Sequence, residues 1–247
     1  MQIVKNSGRV FICTDLHGNI HTLHKMLNNV GFDINTDLLI HCGDLIDRGP
    51  DSAGTFNHFV EDKTGAFISL RGNHDQFLAD CADKEMSGNW VYFNGGQWAL
   101  HEEAWKVKSM AEAAAKLPVH LTLDFHGRKY GFVHAEVPAR FESWAEFTNA
   151  VDTDVTEVAA RQAMWGRDVI YGQPVNPLPD VEYVFHGHTV LDRPTFVGNR
   201  LYLDTGFVFK RLMTLVEITE SGSLDFHFRD KYAPRTFSKG NPFIISE

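Results

Sequence analysis

The chain has 247 residues, of which 43% are hydrophobic and 22% charged, and a formal net charge of −9; that length can bury a full core and requires no second domain. The negative charge argues against a protein that lives on nucleic-acid phosphates, because such binding rests on a basic surface. No apolar run approaches the roughly 20 residues needed to cross a bilayer, so no membrane partner is expected.

Near the start, only four apolar residues in a row follow Arg9, too few for a signal-peptide core. Cys13, Cys42 and Cys81 lie far apart without a CxxC, which suggests neither a disulfide framework nor a zinc knuckle. A reducing cytoplasm is the expected location. In chain order, RVFICTD (9–15), DLLIHCGD (37–44) and GAFISLRGN (65–73) are short apolar runs that each end in polar or glycine-rich residues. Between them NIHTLHKMLNNVG has apolar positions at helical spacing, and PDSAGTFNHFVEDK opens with a proline suited to a first helical turn. The order β-α-β-α-β predicts parallel strands with right-handed crossovers. Chemistry in such sheets collects in the loops beyond the strands' carboxyl ends.

Residues 83–117 turn helical, most clearly in EEAWKVKSMAEAAAKL, and read as an excursion over the sheet. The second half reads as strands: VHLTLDF, KYGFVHA, YVFHGHT, PTFVG, RLYLDTG, LMTLVEI and LDFHFRD. His126-Gly127 and Gly198-Asn199 supply hairpin turns, and a helix around 141–164 divides this half. The expectation is one α/β domain over 1–247, two mixed β-sheets packed as a sandwich and flanked by helices (αββα), with 231–247 as a loosely held tail.

Five strand ends carry the chemistry: TDLHGN (Asp15, His17), GDLIDRG (Asp44, Asp47, Arg48), RGNHD (Arg71, Asn73, His74, Asp75), VHAE (His134) and HGHT (His186, His188). Burying Asp44 and Asp47 at the end of an apolar strand costs several kcal/mol each unless positive charge meets them. Asp15 and His17, two apart on an extended segment, can hold one cation. Asp44 can bridge it to a second, completed by Asn73, His134 and a histidine of HGHT. Carboxylate, amide and imidazole ligands without thiolate suit Mn²⁺, Fe²⁺ or Zn²⁺, and two such ions form the arrangement used for in-line displacement at phosphorus. Strand alternation turns Asp47 away from Asp44, and a carboxylate there that reached His74 would raise the pKa of that imidazole and orient it, making it a candidate general acid. Arg48 and Arg71 have the forked geometry that reads phosphate oxygens in pairs.

The order and wording of these motifs resemble the PPP phosphoprotein phosphatases within the metallophosphoesterases, whose pattern is GDxHG, GDxVDRG, GNHE and two later histidines. The likeness is closest to the phage and bacterial branch typified by the lambda phage protein phosphatase. It extends to SGNWVYFNGGQW, KLPVHLTL, YGFVHAE, MWGRDVI and the stretch from FHGHTV to LYLDTG, and so covers nearly the whole chain. The resemblance implies a calcineurin-like fold, with Asp15, His17 and Asp44 on a first metal and Asp44, Asn73, His134 and His188 on a second. It further implies Arg48, Arg71 and Arg167 around phosphate, and the Asp47–His74 pair beside the leaving oxygen. Three positions depart from the pattern: Thr14 stands for the usual glycine, Asp75 for the usual glutamate, and His186 adds an imidazole, a supporting or rim group, before His188.

The implied activity is metal-dependent hydrolysis of phosphoserine or phosphothreonine, with phosphotyrosine also in range, by in-line attack of a metal-bridging hydroxide with His74 as acid. Two divalent ions, Mn²⁺ first and Fe²⁺ or Zn²⁺ next, are the expected cofactors. Phosphoproteins or phosphopeptides are the expected partners, and a monomer is favoured. Two rivals stand beside this reading. A dinucleoside polyphosphate hydrolase of the diadenosine tetraphosphate type is suggested by Asp75 and opposed by Asp47 within an intact DRG. A non-catalytic scaffold predicts missing ligands, yet each expected position is filled. His21, His24, His58, His101 and His227 are read as packed or solvent-facing. Asp51 reads as a helix-start charge, Asn94-Gly95-Gly96 as a turn or a rim loop, and Asp204 as a structural hydrogen-bonding group.

Overall fold

The computed structural model describes residues 1–209 and 211–231, and the backbone strand 237–239. In chain order these form β1 (Gln2–Lys5), β2 (Val10–Cys13), α1 (Ile20–Asn29), β3 (Leu38–His41), α2 (Ser52–Val60), β4 (Phe67–Ser69), α3 (Asn73–Asp80), α4 (Gly88–Phe93) and α5 (Ala104–Ala114). They continue as β5 (His120–Phe125), β6 (Arg128–Val133), α6 (Trp144–Thr153), α7 (Val158–Trp165), β7 (Tyr183–His186), β8 (Thr195–Val197), β9 (Arg200–Tyr202), β10 (Leu212–Ile218), β11 (Leu224–Asp230) and β12 (Phe237–Lys239). Two six-stranded mixed sheets result, ordered β12-β11-β10-β2-β3-β4 and β1-β5-β6-β7-β9-β8.

Every residue of β2 and β3 is buried, as parallel strands covered on both faces must be. Alternate residues divide between two cores. Val10, Ile12, Leu38 and Ile40 meet Leu121, Leu123, Phe132 and Phe185 of the second sheet. Phe11, Cys13 and Leu39 face the helical side with Leu23, Met26, Phe56, Leu78 and Met110. A third cluster packs Val133 and Val184 under Trp144, Phe147 and Ala163 of α6 and α7. The layers are therefore helix, sheet, sheet, helix, as the sequence predicts.

The hairpin between β5 and β6 turns at His126 and Gly127, both at positive φ, the backbone that a two-residue turn of primed type requires. Three features differ from the sequence reading. Gln2–Lys5, unassigned from sequence, adds a parallel edge strand to β5. The single helix expected around 141–164 is two, because the Asp154 carboxylate accepts from the Thr156 and Ala159 N–H groups and turns the chain between them. Within the expected tail, 237–239 pairs antiparallel with β11, while 232–236 and 240–247 lie outside the described residues. Cys13, Cys42 and Cys81 are free thiols. Among the described residues no helix is long and apolar enough to cross a membrane.

Candidate metal centre and active-site cleft

Strands β2, β3 and β4 run parallel in one sheet, and β6, β7 and β9 run parallel in the other. All six carry polar residues just past their carboxyl ends: Asp15 and His17, Asp44 and Asp47, Asn73 and His74, His134, His188, and Asp204. Two cross-sheet bonds join the sets. The backbone N–H of His188 donates to Asp15 at 3.0 Å, and His134 Nδ1 donates to the Cys42 carbonyl at 2.7 Å.

Asp15, His17, Asp44, Arg48, Asn73, His74, Asn94, Trp165, Arg167, Tyr171, His188, Asp204 and Phe209 line one cleft of about 630 Å³. The backbone there is unusual. Asp15, His17, Asp44, Asp47, Arg48 and His188 all have positive φ without being glycine, and such conformations cost of order 1–3 kcal/mol each and persist where surrounding structure over-determines them. Glycine supplies the remaining room: a Cβ on Gly72 would overlap the Asp44 carboxylate, and one on Gly187 would overlap Asp15 and Thr14.

The donor set fits divalent ions. His17 Nδ1 donates to the Ile46 carbonyl at 2.7 Å, so that Nε2 is turned inward, 3.7 Å from Asp44 Oδ2. His134, anchored likewise through Nδ1, brings Nε2 to 3.0 Å from Asn73 Oδ1 and 3.4 Å from Asp44 Oδ1. Nε2 of His188 is buried and has no hydrogen-bond partner. Atoms able to ligate gather as two triads sharing Asp44, namely His17, Asp44 and His74, and Asp44, His134 and His188; Nδ1 of His74 is already bonded to Asp47, and Asp15, in neither triad, lines the same cleft. Fixing one imidazole nitrogen on a carbonyl so that the other faces a cation is the usual support for a ligating histidine.

The electrostatics agree. Burial pushes His17 down to about 3 and His188 down to about 2, so both rings are neutral; the inward lone pair of His188 is unpartnered, and that of His17 accepts from Arg48 Nη1. Burial together with Asp204 and Asp44 holds Asp15 well above the carboxylate range, and burial first, then Asp44, raises Asp75 to about 6. Burial opposes ionisation of Asp44, but His134 and His74 outweigh it and keep the carboxyl well below its ordinary value. Asp44 in turn raises His134 to about 9 against the effect of burial, so without metal this ring carries a proton that a ligated cation would displace. Several buried carboxylates crowd one another, a surplus of negative charge that cations would offset.

Asp47 is sealed from solvent and accepts three side-chain hydrogen bonds. His74 Nδ1 lies 2.6 Å and Trp90 Nε1 2.8 Å from Oδ2, and Trp98 Nε1 lies 2.7 Å from Oδ1. Neither indole is singled out by the sequence; both lie in the stretch NWVYFNGGQW, whose likeness to the phage and bacterial phosphatases is the one pointer to them. Gly95 of that stretch, at φ +90°, lies against the Arg48 backbone, and Asn94 reaches the cleft, so the segment is a rim loop.

The three arginines part company. Arg48 lines the cleft, with Nη1 3.0 Å from His17 Nε2 and its guanidinium 5.3 Å over the Phe209 ring. Arg167 also lines it, on a segment held by the Val169 N–H donating to buried Glu136 at 3.0 Å. Arg71 faces another groove, its Nε and Nη2 donating to the Leu117 carbonyl at 3.3 and 3.1 Å and its Nη1 to Gln76 at 3.1 Å. The structure therefore does not bring Arg71 to the cleft.

The departures from the motif pattern have physical explanations. Thr14 donates its hydroxyl to Asp15 Oδ2. Asp75 accepts from the Asp44, Gly72 and Leu45 N–H groups, lashing the Asp44 loop to the start of α3 from behind the cleft. His186 stacks on Tyr202 with centroids 4.6 Å apart, outside the triads. Asp51 caps α2 by accepting from the Gly54 N–H. Asp204 accepts from the Gly206 N–H while lining the cleft.

Comparison with known proteins accords with this geometry. The chain is 31% identical over 217 residues to a serine/threonine-protein phosphatase 1 of Salmonella typhimurium, covering 87% of this chain and 94% of that one. It is 41% identical over 68 residues to a symmetrical bis(5'-nucleosyl)-tetraphosphatase of Proteus mirabilis, 28% of this chain and 24% of the other. A protein serine/threonine phosphatase from Saccharomyces cerevisiae shares the fold, with a TM-score of 0.63 at 14% identity over 99% of this chain and 85% of that one. Residues 8–192 match the calcineurin-like phosphoesterase family, and with a full-length relative above 30% identity the chain belongs to that family of metal-dependent phosphoesterases.

Proposed function

We propose that the protein removes phosphate from phosphoserine and phosphothreonine in proteins, with phosphotyrosine also accepted. The observation that carries this reading is the Asp47–His74 pair at the cleft wall. Its Nδ1 committed to Asp47, His74 keeps one nitrogen to deliver a proton to a leaving oxygen, the requirement of an alkyl phosphate ester.

We assign Asp15, His17 and Asp44 to one divalent ion and Asp44, Asn73, His134 and His188 to another, with Mn²⁺ as the preferred metal. When bound, such a pair supplies Lewis acidity toward phosphoryl oxygen and a nucleophile at neutral pH. Arg48 and Arg167 then bind the phosphoryl oxygens and stabilise charge that builds on them. Asp47, fixed by two indoles, keeps the His74 ring oriented. Exposed Tyr171 and Phe209 at the cleft edge offer apolar surface to the residues flanking a phosphorylated side chain.

The tetraphosphatase relative supports a second reading, cleavage of dinucleoside polyphosphates. Asp75 no longer favours it, because that carboxylate is fully buried and spent on three backbone groups. The test is phosphate release by chelated and then Mn²⁺-reconstituted protein from phosphoserine, phosphothreonine and phosphotyrosine peptides, nitrophenyl phosphate and diadenosine tetraphosphate. Highest kcat/KM on the phosphoserine or phosphothreonine peptides is expected. Faster cleavage of the dinucleotide overturns the reading, and metal binding without turnover on any substrate points to a scaffold.

A further inference from the structure

α1 and α2 continue directly from the loops that carry His17 and Arg48, and each buries one face in the same core. On their outer sides His24 of α1 and His58 of α2 face one another, with Nε2 atoms 3.4 Å apart and ring centroids 4.7 Å apart at 69°. Both rings are half-buried. The His58 ring is held edge-on to Phe67 and Phe59, with centroids at 4.5 and 5.6 Å, so its orientation is fixed by packing. His21, exposed, stands one turn before His24 at the i, i+3 spacing that places both on the same helix face.

We propose that His24 and His58 form a second metal site, separate from the phosphoesterase centre, that takes one Zn²⁺, Ni²⁺ or Cu²⁺ ion across α1 and α2, with exposed His21, one helical turn away, swinging in as a third ligand only when the ion is bound. Two nitrogens each about 2.0–2.1 Å from a tetrahedral ion lie roughly 3.4 Å apart, the separation these Nε2 atoms already have. Little ordering of His24 and His58 remains to be done on binding. An all-imidazole set favours these borderline ions over Mn²⁺ or Mg²⁺, which prefer oxygen. This selectivity distinguishes the pair from the carboxylate-rich cleft.

The rings are also in the required protonation state. Burial, followed by His21 for His24 and His24 for His58, lowers both below the ordinary histidine range, so both are neutral at pH 7. The ring that donates in the present hydrogen bond has only to move its proton to Nδ1. Asp62 is the acidic neighbour of His58, but its oxygens already accept from Thr64, Gly65 and Phe67. The ligand set is therefore histidine alone, completed by solvent.

The test is to saturate the intact protein with Mn²⁺, add Zn²⁺ in stepwise excess, and quantify bound manganese and zinc separately after gel filtration. One equivalent of zinc bound beyond the total that the centre holds is expected. His24→Gln and His58→Gln should each lower affinity for that equivalent at least tenfold, and His21→Gln by less, while Mn²⁺-supported phosphatase activity stays unchanged. Thermal unfolding without zinc checks that each variant is folded. A wild-type protein that takes no additional equivalent, or variants that keep it at full affinity, overturns the proposal. Zinc that enters only by displacing manganese, equivalent for equivalent, overturns it as well.

Discussion

Nδ1 of His74 lies 2.6 Å from Oδ2 of Asp47, with both side chains shut off from solvent. The short contact orients an imidazole that also lines the cleft, leaving its second nitrogen for the substrate. His74→Asn should lower kcat by about 10²–10⁴ on alkyl phosphoesters, whose leaving oxygen needs a proton. Nitrophenyl phosphate, with a stable leaving anion, should lose far less. Equal losses on a phosphoserine peptide and on nitrophenyl phosphate would remove His74 from the acid's role.

Trp98 supplies the donor to the other oxygen of Asp47. Trp98→Phe keeps most of the packing and deletes that bond to a buried charge, a cost of about 1.5–3 kcal/mol readable by urea unfolding. Its effect on kcat should follow the same order as that of His74→Asn, larger for alkyl than for aryl esters. A variant that loses stability and shows no dependence on leaving group would make the indole structural only.

Asp44 is common to both triads. Asp44→Asn retains an oxygen to accept the His74 backbone N–H now bonded at 2.9 Å, so the apo protein should still fold, with a lower melting temperature because His134 loses the charge that faces it. Metal binding and turnover should both collapse, because the bridging charge is gone. For the wild type, chelation should lower the melting temperature, since a ligand bound only by the native state stabilises it in proportion to RT ln(1 + [L]/Kd). Full activity in Asp44→Asn would refute the bridging assignment.

The separate placements of the arginines make a directional prediction. Arg48→Ala and Arg167→Ala should each reduce kcat/KM by about 10²-fold, the scale of losing one donor to developing charge. Arg71→Ala should fall short of tenfold, because its guanidinium is spent on the Leu117 carbonyl and Gln76. Steady-state kinetics on one phosphopeptide separates the three, and a loss at Arg71 equal to that at Arg48 would contradict the placement.

Far from the cleft, Asp37 accepts from the Arg9 backbone at 3.0 Å, from Arg9 Nη2 at 2.6 Å and from the Asp33 N–H at 2.9 Å. Burial pushes its carboxyl up, but those hydrogen bonds outweigh it and hold the pKa below 3.8. A depressed folded value means that the stabilisation is complete above the unfolded pKa, near 3.9, and is lost as pH falls through the folded one. Asp37→Asn should therefore cost about 1–3 kcal/mol at pH 7, and the gap to wild type should shrink below about pH 4. Urea unfolding of both proteins at pH 6.5 and 3.5 measures it; a constant or widening gap would reject the account.

Local sequence determined which residues could do chemistry. Short apolar runs that stop at Asp15, Asp44, Asn73, His134 and His188 mark strand ends, because parallel strands are buried throughout and their loops are where polar groups meet solvent or ligand. Turn pairs such as His126-Gly127 announce hairpins, whereas Asp44 and Asp47 lie past the end of β3 at positive φ, where the alternation expected along GDLIDRG does not apply. Contacts between distant segments were left to the tertiary structure. Arg48 and Arg71 look alike beside their strands, yet residues 117–118 capture one and leave the other in the cleft. Trp90 and Trp98 have no periodic signal tying them to Asp47, and His24 meets His58 only because two helices share a core. A side chain's neighbours across the chain are set by how the sheets and helices stack, whereas its chemical capacity is already written in its own residue type and position.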